Sequence, residues 1–117
     1  MSQRLPSHVT QRANKSVDEN IADSVDETVG EMLGDTVIEA LYAHLYEKRI
    51  SRKNLLEKVD VFCKALDETF GVDSKAIQRN IAKRLFLKLD LDFVPDKDRG
   101  LIEYVKDARQ EIANLEA

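Results

Sequence analysis

The stretch DSKAIQRNIAKRLFLKLDLDF, residues 73–93, decides how the chain is read. Ile77, Ile81, Leu85 and Leu89 recur every fourth residue, the spacing of one face of an α-helix. The helix is expected to open at Asp73 or Ser74 and to run to about Leu91. It is also cationic. Lys75, Arg79, Lys83, Arg84 and Lys88 have no acid between them, in a chain of net charge −4. With 100° per residue and Ile77 as origin, Lys75, Arg79 and Lys83 form a stripe at about 160° to 240°, while Arg84 and Lys88 fall within about 20° of Ile77. Asn80 and Leu87 lie between the two groups. A helix in the major groove of DNA prefers one continuous polar face. Two cationic edges beside an apolar seam fit better with long side chains snorkelling around a packed interface, or pairing with acids on neighbouring helices.

Outward from this helix, apolar residues recur at helical spacing. Leu55, Val59, Phe62, Leu66 and Phe70 predict a helix before it, closed by Gly71 in a positive-φ conformation. Ile38, Leu41, Tyr42 and Leu45 predict another, opening at Asp35 or Thr36, with Thr36 and Glu39 as a capping box. Val17, Ile21, Val25, Val29 and Met32 predict a first helix from Ser16. Ser16 with Glu19 and Ser24 with Glu27 are capping-box patterns, and Gly30 and Gly34 weaken the helix end. After the break at DFVPDKDRG, a last helix is expected over roughly 100–115. Its Leu101, Val105, Ala108, Ile112 and Leu115 are spaced 4, 3, 4, 3, as in a two-heptad seam. Residues 1–15 lack helical period and read as a mobile, disordered tail. The expectation is an all-α fold: one domain over residues 16–117, a bundle of about five helices.

Composition agrees. A chain of 117 residues, 43 % hydrophobic, with only 4 Gly and 2 Pro, builds one modest helical core rather than a turn-rich β fold. No apolar run reaches the roughly 20 residues that span a bilayer, and the first residues have no apolar core of a secretory signal. No membrane association is expected, and a cytoplasmic location is the default.

Charge is segregated. Residues 16–39 carry eight acids and no base, against the five bases of residues 74–89. Three readings of the basic helix stay open. It meets the acidic segment, through Asp18, Asp23, Asp26, Glu27 and Glu31, in its own chain or a twin subunit; it meets an external acidic protein; or it meets nucleic acid. KRISRK, residues 48–53, keeps the last option open as a second basic patch.

LGDTVIEALYAHL (33–45), FCKALDETFG (62–71) and IQRNIAKRLFLKLDLDF (77–93) together resemble a small archaeal family, the Nitrosopumilus output domain. The matching positions include Leu33, Gly34, Ala40, Leu41, Tyr42, Phe70, Gly71, Lys88, Leu89, Leu91, Asp92 and Phe93, within residues 30–93. The acidic first helix and the heptad helix have no counterpart. The resemblance implies a non-catalytic helical module acting as a signalling output, with no catalytic residues or cofactor to carry over.

The residues themselves point the same way. His8 lies in the tail, and a lone His44 between Tyr42 and Tyr46 is a boundary position. Cys63, the one cysteine, follows Phe62 and reads as a small buried hydrophobe. It excludes an internal disulfide and a cysteine-based zinc site. No glycine-rich phosphate loop occurs. Asp96, Asp98 and Gly100 give only a fragment of a calcium loop, so no metal and no cofactor is expected. The leading expectation is a non-enzymatic protein-interaction or signalling output module, with Lys75, Arg79, Lys83, Arg84 and Lys88 facing a partner. It would form a homodimer through the seam at Leu101, Val105, Ile112 and Leu115. The runner-up is a nucleic-acid-binding accessory protein using helix 75–88 and loop 48–53.

Overall fold

In the protein's structure, a computed structural model, the backbone is described for residues 5–116 and the side chains for residues 17–115. All regular structure among the described residues is helical. The elements are α1 (Leu5–Leu33), α2 (Asp35–Glu47), α3 (Val59–Phe70), a 3-10 turn (Gly71–Asp73), α4 (Ser74–Lys88) and α5 (Leu101–Glu116). The all-α expectation holds. α4 packs against α1, α3 and α5, and α1 packs in turn on α2 and α5. Among the described residues no helix is long and apolar enough to cross a membrane.

The first helix is longer than its capping boxes suggest. It begins at Leu5, not Ser16. Pro6 falls in its first turn, where a missing N–H costs nothing. Of the expected tail, residues 1–4 lie outside the described residues, and residues 5–15 continue the α1 backbone. Ser24 caps nothing: it is buried inside the helix, and its hydroxyl donates to the Asn20 carbonyl one turn back, at 2.7 Å. Val17, Ile21, Val25 and Val29 are buried as their spacing predicts, but Met32 is 44 % exposed. Gly71 ends α3 with φ 58°, as its position suggests. Leu55 is buried but lies in the turns before α3, not within it.

Two helices end with a non-glycine residue in left-handed conformation. Arg49 (φ 63°) follows α2, and Asp90 (φ 59°) follows α4. Each end carries the paired bonds of a Schellman motif. Ile50 N–H donates to the Leu45 carbonyl and Arg49 N–H to that of Tyr46, both at 2.9 Å. Leu91 N–H donates to the Phe86 carbonyl at 2.9 Å and Asp90 N–H to that of Leu87 at 3.2 Å. This reversal stops α4 at Lys88 rather than at Leu91. It also turns Leu91 and Phe93 back onto the core.

The last helix turns most of the expected dimer seam into its own bundle. Leu101, Val105, Ala108 and Ile112 are buried within this chain, between 0 and 6 % exposed; Leu115, at 74 %, points outward. The seam closes its own bundle against α1, α3 and α4, so it is not surplus surface for a second copy. Its first turn is held from α4. The buried Gln78 accepts the Leu101 N–H at 3.0 Å through Oε1, and its Nε2 donates to Ser74 Oγ at 2.9 Å. Glu103 accepts the Gly100 N–H at 2.8 Å. Two amides that a helix start leaves without partners are thereby satisfied, one by a side chain from another helix.

The segment between α4 and α5 is pinned by aromatic rings. Phe86 meets Phe93 and Tyr104 edge-on, with centroids 5.6 and 6.0 Å apart. The Tyr104 hydroxyl accepts the Asp96 N–H at 2.8 Å and donates to the Val94 carbonyl at 3.2 Å. The Arg99 guanidinium lies over the Tyr104 ring and pairs with Asp107. Asp96, a member of the calcium-loop fragment, is engaged locally: its carboxylate accepts the Asp98 N–H at 2.9 Å, as in an Asx-turn.

Candidate interaction surface

The chemistry of this surface starts with two helices whose charges lie on both sides of an apolar face. On α1 the buried face of Val17, Ile21, Val25 and Val29 has Glu27 and Glu31 on one side and Asp23 and Asp26 on the other. Both sides are answered from the same chain. Arg84 of α4 donates to Glu27, at 3.2 Å, and to Glu31. Lys88 reaches the second oxygen of Glu27, at 3.0 Å. The hydrogen bond from Lys88 holds the Glu27 carboxyl below the usual glutamate range; burial opposes it and the hydrogen bond from Arg84 supports it.

On the other side of α1, Arg52 forks onto Asp23, at 2.6 Å, and Asp26. The Tyr42 hydroxyl donates to Asp26 at 2.6 Å. Burial first, and then the Asp26 carboxylate, push the Tyr42 phenol above its ordinary range, so it stays a donor. Arg52 thereby clips the 48–58 segment to α1 and, through Asp26 and Tyr42, to α2.

Of the residues expected to face a partner, Arg84 and Lys88 meet the acidic helix in cis. Lys75, Arg79 and Lys83 do not, and make no ion pair among the described residues. The edge of α4 that meets the acidic helix is therefore that of Arg84 and Lys88 alone. The apolar packing sets the angle: α1 lies on the side of Ile77 that carries Arg84 and Lys88. In KRISRK, Lys48 pairs with Glu68 at 3.4 Å and Arg52 with the two aspartates, so two of the four cations of this patch are answered inside the chain.

Between the paired and unpaired edges of α4 runs a groove with a volume of about 310 Å³. Its walls are Thr28, Glu31 and Met32 of α1 and Asn80, Lys83, Arg84 and Leu87 of α4. Asn80 donates to the Ala76 carbonyl at 3.0 Å and touches the Met32 sulfur at 3.6 Å. Leu87 is 73 % exposed. The helical wheel placed Asn80 and Leu87 between the two cationic edges. It could not show Met32 there, because the α1 period assigns Met32 to the core.

The groups singled out for possible chemistry sit elsewhere. Cys63 is buried, and burial, with Asp67 and Glu103 nearby, pushes its thiol up to about 12. It is held as a neutral thiol. His44 Nε2 lies 4.0 Å from Glu68. Among the described residues, no three His, Cys, Asp or Glu side chains converge as metal ligands. The chain matches no protein-family model, no curated protein and no solved structure.

Proposed function

We propose that this chain is a non-catalytic, cytoplasmic protein-interaction module that meets its partner along the unpaired edge of α4. One observation carries this reading. The chain answers the charge of Arg84, Lys88, Arg52 and Lys48 internally, yet leaves Lys75, Arg79 and Lys83 unpaired among its described residues beside an exposed leucine. The resemblance to the Nitrosopumilus output domain points the same way, toward a helical signalling output without catalysis. Nucleic-acid binding is the weaker reading, because two cations of the 48–53 loop and two of α4 are already held by carboxylates, and phosphate contacts need cations able to leave their counterions.

Photocrosslinking tests it. A photoreactive residue replacing Lys83, in extract of the source cells, is expected to yield discrete protein adducts. The same residue replacing Val72, 95 % exposed on the 3-10 turn, should not give them. In parallel, duplex DNA and RNA oligonucleotides should give no mobility shift near physiological salt. Nucleic-acid adducts at position 83, with binding that weakens steeply with salt, would replace this reading by the nucleic-acid one.

A further inference from the structure

From the groove beside the unpaired edge of α4, we infer that the partner presents an acidic amphipathic helix, seated between Met32 and Leu87 with its carboxylates on Arg79 and Lys83. The inference rests on the interaction-module reading and names the partner's chemistry.

The fold already contains one such complex. α1 is an acidic amphipathic helix, and α4 holds it by packing apolar side chains and setting Arg84 and Lys88 on Glu27 and Glu31. The opposite edge repeats the parts. Lys75, Arg79 and Lys83 recur every fourth residue, covering about 12 Å along the helix. Leu87 continues that line one turn on, and Met32 faces it across the groove. An apolar side chain on each wall of a groove receives the apolar face of a helix laid in it, and the unpaired cations in line with Leu87 set the charge that the helix must carry. The sign here selects carboxylates. Glu31, already engaged by Arg84, closes the far wall, so a cationic helix would meet Lys83 and Arg79 with nothing opposite to offset them.

A second copy fits this groove less well. Four of the acids of α1 that could supply such a helix, Asp23, Asp26, Glu27 and Glu31, are already paired within their own chain. A nucleic-acid strand would have no use for the apolar pair.

The test uses the full chain and three synthetic probes, titrated by fluorescence anisotropy. One is a stapled acidic helix with leucines every fourth residue. The second has the same leucines with every acid replaced by lysine. The third is polyglutamate of equal length. The acidic helix is expected to bind, and the other two to bind at least roughly tenfold more weakly, the loss typical of removing one anchor contact. Lys83→Glu and Leu87→Ser should each weaken the acidic helix by a similar factor, whereas Val72→Ser should not; circular dichroism verifies that each variant is folded. Equal binding of the lysine helix, or binding indifferent to Leu87→Ser, overturns the inference. So does no binding of the acidic helix. If protein adducts at position 83 persist in that last case, the interaction reading stands and only the acidic helix falls.

Discussion

α1 and α4 are both two-edged helices, with charge on either side of an apolar face, but they have been completed differently. On α1 each edge is answered: Glu27 and Glu31 by α4, Asp23 and Asp26 by Arg52. On α4 the edge of Arg84 and Lys88 is answered, while among the described residues Lys75, Arg79 and Lys83 find no carboxylate within ion-pair distance. Electrostatic attraction alone does not explain this, since the three-cation edge carries the larger charge. Apolar packing fixes the angle between the helices, and ion pairs form wherever that angle brings opposite charges together. Exposed pairs contribute only about 0–1 kcal/mol each, too little to rotate a helix against its core.

If packing and not charge orients α4, the largest loss should come from its buried polar anchor. Gln78→Leu leaves the Leu101 N–H without a partner and is expected to lower stability by about 1–3 kcal/mol, measured by chemical denaturation. A loss smaller than that of any edge variant would return the orienting role to charge. Next come the edges themselves. Arg84→Glu sets a carboxylate against Glu27 and Glu31 and should lower stability by about 1–2 kcal/mol, part of it restored by added salt. Arg79→Glu combined with Lys83→Glu should change it by no more than about 0.5 kcal/mol. Equal losses at both edges would erase the distinction.

The end of α4, which decides that Lys88 is its last cation, should matter less than the paired edge. Asp90→Gly relieves a left-handed residue and should raise stability by up to about 1 kcal/mol in the same measurement. A decrease would mean that the Asp90 side chain has a use beyond the turn. The smallest effect is that of pH. Because Lys88 and Arg84 lower the Glu27 pKa, the folded state holds this proton less readily than the unfolded chain. The contribution is therefore fully present above the unfolded value, about 4.3, and is lost as pH falls through the lower folded value. Because the Glu27 side chain is exposed, solvent screening keeps this contribution small. The stability gap between the parent and Glu27→Gln should close over that acid range and stay constant near neutrality.

Much of this arrangement was legible in the residues. Helical spacing of apolar residues located α2, α4 and α5, and Gly71 marked the end of α3, because a helix face is a local property of sequence. The two cationic edges and the Asn80–Leu87 strip between them were also readable from the wheel. What stayed hidden was relational. Which edge of α4 meets α1 depends on the packing angle. Whether the α5 seam is spare depends on whether three other helices leave room for it. The Arg49 and Asp90 ends carry no glycine to announce them, and Ser24 carries a capping signature that burial overrides. Gln78 carried no local sign of its role, since its partner lies 23 positions further along the chain.

That distant partner gives the molecule a built-in gauge. The first amide of α5 is shielded by a side chain that only an intact α4 can deliver. Hydrogen exchange at Leu101 therefore reports on the docking of two helices at once, not on fraying at the end of one. A ligand that tightens α4 would slow exchange at that amide without touching it, which makes a single backbone N–H a remote readout of whatever settles into the groove.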